Sequence, residues 1–168
     1  LPVLKHIPGH GRAAVDSHLN LPTVTADRAA LDAKDFAPFK ALSDLPMGMS
    51  AHIVFTAIDP DGPATTSPAM IDAIRHDIGF DGLLMTDDLS MQALSGTVAD
   101  RARASIAAGC DIVLHCNGDA GEMQLVANAA GQMTSRAQIR ADQALSLRRP
   151  PEIVDIKALE AELGTLLA

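Results

Sequence analysis

The chain has 168 residues, 48% of them hydrophobic, 20% charged and 2% aromatic. That is enough apolar material for one ordinary domain or a large piece of one; it excludes a disordered chain, and no run approaches the roughly 20 apolar residues of a spanning helix. Thirteen Lys and Arg against 21 Asp and Glu leave a formal net charge of −8, with no Trp or Tyr, so neither nucleic acid nor an anionic membrane surface is expected as a partner.

The chain opens on Leu1-Pro2-Val3-Leu4-Lys5, without an initiator Met or a signal peptide, so it is expected to start within a longer protein. Pro2 to Leu4 reads as the tail of a strand, followed by a loop from Lys5 to Thr25 rich in Gly, Pro and His. Asp27 to Leu42 has helical spacing of Ala29, Ala30, Leu31, Phe36, Phe39 and Leu42. Met47 to Phe55 reads as a second strand, and Ser67-Pro68 as the N-cap and first turn of a helix through Ile78. The continuous apolar run Leu83-Leu84-Met85 makes Gly82 to Thr86 a strand buried on both faces. A loop from Asp87 to Gly96 leads to a helix from Thr97 to Ala108, closed by Gly109. Asp111 to Leu114 is a fourth strand, with a helix after it to about Gln132. Arg136 to Ala168 reads as two helical pieces separated by Pro150-Pro151.

Four β–α units with the polar, irregular loops after the strands mean an α/β fold whose chemistry sits at the carboxyl ends of the strands. A doubly wound sheet and a (β/α)8 barrel both fit, although a barrel takes about 250 residues. Gly9-His10-Gly11 lacks the third glycine and the helix start of a dinucleotide loop, and no cofactor is called for. Cys110 and Cys116 flank the run Ile112-Val113-Leu114, which would hold them apart, so both are expected to be free, buried thiols in a reducing cytoplasm.

Histidines 6, 10, 18, 52 and 115 and Asp16, Asp87 and Asp88 gather at strand ends, whereas all four glutamates lie in the C-terminal third, away from these loops. Acid–base chemistry on this rim would therefore use Asp and His. Thr86-Asp87-Asp88 sets two carboxylates where a strand breaks into a loop; one can face a pocket while the other ties the loop, or both can serve as turn caps. Asp16-Ser17-His18 places a carboxylate two residues from an imidazole, close enough to fix its tautomer and favour its protonated form; the bland alternative is an exposed loop histidine beside a capping Asp. Lys5 and His6 can offer hydrogen bonds to substrate hydroxyls, and His52 can line the same pocket or sit satisfied in the core. Neither H-x-H on a strand nor H-x-x-x-H on a helix occurs, so no metal is expected.

Five segments are specific enough to carry a resemblance: Lys5-His6-Ile7-Pro8-Gly9-His10-Gly11; Asp16-Ser17-His18; Met49-Ser50-Ala51-His52; Gly79-Phe80-Asp81-Gly82 running into Thr86-Asp87-Asp88-Leu89-Ser90-Met91; and Ala108-Gly109-Cys110-Asp111. In this order they resemble the β-N-acetylhexosaminidases of glycoside hydrolase family 3, the NagZ type, over Leu1 to about Asn117. Ile7 stands where the family commonly has Phe, and Thr86 where it has Ser.

The resemblance implies a (β/α)8 TIM-type barrel of which this chain supplies strands five to eight. Residues 1–134 would be the C-terminal half of the catalytic barrel, and 135–168 a helical extension packing on it. It implies a retaining hydrolase, with Asp87 as nucleophile and His18, oriented by Asp16, as acid/base. Lys5, His6 and His52 would bind substrate; Asp88 and His10 would support the site. Asp88 is expected to point away from Asp87 or to be neutralised by hydrogen bonds. The implied ligand is an N-acetylglucosamine-containing 1,6-anhydro-muropeptide, met in cytoplasmic cell-wall recycling. An open half-barrel should pair with a missing N-terminal half or with itself, and alone it should be weak or inactive. The rival expectations are a metal-dependent hydrolase on a similar frame and a non-catalytic half-barrel module.

Overall fold

A computed structural model describes residues 1–167. In chain order the elements are β1 (Leu4–Ile7), β2 (Thr23–Val24), α1 (Arg28–Ala30), α2 (Ala37–Lys40), β3 (Met47–Ser50), β4 (Val54–Phe55), α3 (Pro68–Asp72), β5 (Leu83–Asp88), α4 (Val98–Ala108), β6 (Ile112–Leu114), α5 (Ala120–Ala130), α6 (Ser135–Ser146) and α7 (Ile156–Leu166).

Four strands form one parallel sheet in the order β1-β3-β5-β6. Leu4 pairs with Gly48, Met47 with Leu83, and Met85 with Ile112. Among the described residues the strands follow one another in chain order without the reversal that makes the crevice of a doubly wound fold. Among the described residues, β1 and β6 each pair along one edge only.

The helix expected from Asp27 starts as its sequence dictates: the Asp27 carboxylate accepts the Ala30 N–H at 2.8 Å. It then widens into a π-turn over Leu31–Asp35, with Phe36 N–H bonded to the Leu31 carbonyl at 2.9 Å, before continuing as α2. Pro38 lies in the first turn of α2, where a proline is tolerated. Ser67 caps α3, Thr97 and Asp100 make a reciprocal capping box on α4, and Gly109, at φ +113°, closes α4.

The main core joins Ile7, Leu31, Phe36, Phe55, Ile74, Phe80 and Leu84 between sheet and helices. Gly48 is required there: a Cβ would come within 2.7 Å of both Ile7 and the Phe80 ring. At the amino ends of the strands, Asp111 is buried between Arg75 and Arg140, which contact it at 2.7 and 2.9 Å. Arg136 and Arg140 also engage Asp81, which ties α6 to the body. Every residue of α7 is exposed, and Ala168, the end of the expected 135–168 extension, lies outside the described residues.

Three expectations need correction. The first strand runs through Ile7 rather than ending at Leu4, because Ile7 is fully buried and its carbonyl bonds the Ala51 N–H at 2.8 Å; Lys5 and His6 are therefore strand residues. The strand expected over Met47 to Phe55 breaks after Ser50: the chain turns out of the sheet, and Val54–Phe55 pairs instead with Thr23–Val24 in a two-stranded parallel sheet. Cys110 is buried as expected, but Cys116 is exposed, because β6 ends at Leu114 and carries it onto the rim.

Candidate active site

Alternation along β5 sends its two terminal carboxylates different ways. Asp87 lines a cleft of about 490 Å³ together with Lys5, His6, His10, Asp16, Ser17 and His18. Its Oδ2 lies 3.4 Å from His6 Nε2, and its Oδ1 accepts the Asp88 N–H at 2.9 Å. Asp88 is instead occupied by the loop. Its Oδ1 accepts the Ser90 N–H at 2.9 Å and the Cys116 N–H at 3.1 Å, and its Oδ2 accepts the Ser90 hydroxyl. Burial alone would lift the Asp88 carboxyl, but these hydrogen bonds outweigh it and hold the group below the usual carboxylate range.

His18 and Asp16 meet on the loop above Asp87. His18 Nδ1 is 2.8 Å from Asp16 Oδ1, and the same oxygen accepts the His18 backbone N–H at 2.9 Å. These two bonds lower the Asp16 pKa. The residue between them, Ser17, is buried, and its hydroxyl is 2.9 Å from His10 Nε2. His10 in turn sets its ring 5.7 Å from that of His6. Burial lowers the His6 pKa, with the Asp87 charge opposing.

His52 is the one expected substrate contact that the structure moves elsewhere. It is 1% exposed and lies behind the site, with Nδ1 2.8 Å from the Thr65 hydroxyl and Nε2 3.1 Å from the Asp88 carbonyl. The break after β3 turns its ring inward. Burial keeps its pKa down, against the pull of the Asp88 carbonyl and the Asp87 and Asp88 charges. The glutamates are not all remote from the rim either: α5 starts so soon after β6 that Glu122 lies 3.1 Å from His115 Nε2. Among the described residues no group of three or more His, Cys, Asp or Glu side chains is placed to hold a metal ion. No helix there is long and apolar enough to cross a membrane.

Sequence reasoning missed two features that support the site. Ser50 and Thr65 form a buried hydroxyl pair, 2.8 Å apart, behind His52. Arg101 on α4 donates into the loop after Asp88, reaching the carbonyls of Leu89 and Met91 at 2.7 and 3.1 Å. Both contacts form between distant segments, and only the arginine's place one helical turn into α4 hints at its role.

With this geometry in view, the comparisons with known proteins are decisive. Residues 1–146 match the family described as glycosyl hydrolase family 3 N terminal domain. The chain belongs to glycoside hydrolase family 3. Within it the chain is similar to the NagZ-type β-hexosaminidases. A β-hexosaminidase of Alkalilimnicola ehrlichii is 47% identical over 118 residues, covering 67% of this chain and 34% of that protein. The structure of NagZ from Neisseria gonorrhoeae in complex with N-trifluoroacetyl-D-glucosamine superposes with a TM-score of 0.73 at 34% identity, covering 96% of this chain and 45% of that one. A family 3 β-N-acetylglucosaminidase from Paenibacillus sp. FPU-7 gives a TM-score of 0.75 at 30% identity, with 92% and 33% covered. The chain thus spans between a third and a half of these relatives.

Proposed function

We propose that the protein is a retaining glycoside hydrolase that releases terminal β-linked N-acetylglucosamine. The observation that carries this reading is the meeting, in one cleft, of Asp87 from the end of β5 with the Asp16–His18 pair, flanked by Lys5 and His6. Asp87 attacks the anomeric carbon and forms a glycosyl ester while the departing oxygen takes a proton from His18 Nε2. Asp16, whose pKa is lowered by its bonds to His18, holds Nδ1 and leaves Nε2 to face the departing oxygen. His18 then takes a proton from water, the water oxygen bonds to the anomeric carbon, and the Asp87 carboxylate is released. Asp88, engaged by Ser90 and Cys116, adds no free acid to this sequence. Lys5 and His6 hold sugar hydroxyls.

The four strands in unbroken chain order, together with the family match, support reading them as the last four units of an eight-stranded (β/α)8 barrel. Residues 135–168 are read as an extension of that barrel, its described part carrying α6 and α7. Since the chain spans 34% of the Alkalilimnicola relative and 45% of the Neisseria one, turnover is assigned to the barrel completed to that length. The 168 residues alone are assigned weak or no turnover, because positioning contacts supply about 7–11 kcal/mol of such a barrier. The N-trifluoroacetyl-D-glucosamine bound by the Neisseria relative supports the sugar. The proposed natural substrate is a 1,6-anhydro-muropeptide, and the proposed setting is cytoplasmic cell-wall recycling.

The test is the stereochemistry of the first product. Proton NMR of an aryl β-N-acetylglucosaminide during hydrolysis by the completed barrel should show the β-anomer of N-acetylglucosamine before mutarotation. The α-anomer appearing first overturns the mechanism, and no release of sugar overturns the function.

A further inference from the structure

The loop that carries Asp16 and His18 hangs on polar ties. Arg12 Nε donates to Asp35 Oδ2 at 2.8 Å, the Ser17 hydroxyl meets His10 at 2.9 Å, and the Gln92 backbone N–H donates to the His18 carbonyl at 3.0 Å. The first secures the stem of the loop, and the second holds Ser17, the residue between Asp16 and His18. The third grips His18 itself, and it comes from the segment that follows Asp87 and Asp88 in the chain. Val15, His18 and Leu19 are all exposed, so apolar burial does little to fix this stretch.

The segment from Leu89 to Ser95 is neither strand nor helix, and an outside group holds its shape. Arg101 donates from Nη1 to the carbonyls of Leu89 and Met91, from Nη2 to that of Leu94, and from Nε to that of Ser95 at 3.3 Å. Four carbonyls converge on one guanidinium, whose planar fork fixes their mutual geometry as a flexible ammonium would not. At the other end, Asp88 anchors the segment through Ser90. Gln92 lies between these anchors with its N–H presented outward to His18.

We propose that Arg101 is a positioning residue of the hydrolase: by clamping residues 89–95 it fixes the Gln92 N–H as a latch for the His18 carbonyl, and so sets the approach of the imidazole to the leaving oxygen above Asp87. The inference rests on the acid/base reading of His18. It ties the two halves of the mechanism together, because the segment that carries the latch starts at the strand that carries the nucleophile. The side chain of His18 stays free to pair with Asp16, since only its carbonyl is held.

Two measurements test it separately from the function. The first is amide hydrogen exchange in the chain itself. The Gln92 N–H should exchange at least about tenfold more slowly than a free amide, and Arg101→Met should return it to the free rate while the amides of α4 stay protected. Free exchange at Gln92 in the parent chain overturns the proposal. The second is kcat/KM in the completed barrel, which reports the first chemical step. Arg101→Met should lower it about 100-fold for a methyl glycoside, whose leaving oxygen needs a proton, as expected for a misplaced catalytic group. It should lower it no more than about threefold for a 2,4-dinitrophenyl glycoside, which leaves unaided. Arg101→Lys should restore part of the methyl-glycoside rate. Equal losses on both substrates indicate a general structural effect and overturn the proposal. If Arg101→Met fails to fold, Gln92→Pro, which removes the latch donor while leaving the Arg101 clamp in place, should give the same divergence between substrates. Absence of turnover in the parent overturns the functional reading, and the exchange result then decides by itself whether the latch exists.

Discussion

One oxygen of Asp16, Oδ1, serves His18 twice, lying 2.9 Å from its backbone nitrogen and 2.8 Å from ring Nδ1. The same carboxylate oxygen thus ties the ring of His18 to its own backbone within one loop. Such a pair suits a group that must first give a proton and later take one.

Removing the carboxylate should separate proton transfer from binding. Asp16→Ala is expected to lower kcat for alkyl glycosides by about 10²–10⁴-fold, the range of a lost acid–base partner, with a much smaller change in KM. Steady-state kinetics of the completed barrel on a methyl N-acetylglucosaminide reads this. Because hydrogen bonds from His18 depress the Asp16 pKa, the carboxylate keeps its charge below the ordinary carboxylate range. Any stability from this exposed pair is present above the ordinary value and is lost only as the pH falls through the lowered one.

The buried histidines give the fold a pH dependence of opposite origin. Burial lowers the pKa of His52, and that of the half-buried His6, below the ordinary 6.5. Between the lowered value and 6.5 the unfolded chain binds more protons than the folded one, so stability is full above 6.5 and falls as the pH drops below it. Thermal melts should show Tm decreasing from pH 7 to pH 5, and His52→Asn should flatten that slope while lowering Tm at pH 7.

Away from the cleft, the network around Asp111 should matter for stability alone. Its carboxylate bridges Arg75 and Arg140 and accepts the Leu84 N–H at 2.8 Å, so Asp111→Ala leaves two guanidinium groups without their buried partner. The expected loss is about 3–5 kcal/mol in urea unfolding. Ligand binding at the opposite end of the strands should be unchanged in the protein that remains folded.

Thiol chemistry should separate the two cysteines. Burial pushes Cys110 up to about 12, whereas Cys116 is exposed on the rim and is raised chiefly by partial burial, with Asp88 and Asp87 adding to the effect. Iodoacetamide at pH 8 should modify Cys116 slowly, and Cys110 only after unfolding. Peptide mapping by mass spectrometry distinguishes them.

The parts of this protein legible in its sequence are those fixed by local chemistry. Asp27, Ser67 and Thr97 announce helix starts because a cap needs only its own next turn, and Gly109 announces an end for the same reason. Leu83 to Met85 announces a buried strand by its unbroken apolar run. The break after Ser50 was hidden, because Ala51-His52-Ile53 is as strand-like in pattern as what precedes it; the turn is made by contacts to Ile7 and Thr65 from elsewhere in the chain. For the same reason His52 could be read as facing the cleft or the core, and tertiary contacts decide for the core. The loop expected at Lys5 and His6 was strand because Ile7, three residues beyond the last residue of the apolar pattern, enters the core. Arg101 shows the limit most clearly: all four of its acceptors are backbone carbonyls, which carry no signature in side-chain identity.

The central claim is that Asp87 bonds covalently to the sugar. It is tested most directly by treating the completed barrel with a 5-fluoro-N-acetylglucosaminyl fluoride, which slows breakdown of the glycosyl ester, and mapping the adduct by mass spectrometry. The account predicts one added sugar on the peptide containing Asp87, and none in Asp87→Asn. An intact mass without adduct in a protein that hydrolyses the substrate, or an adduct on another residue, would contradict it.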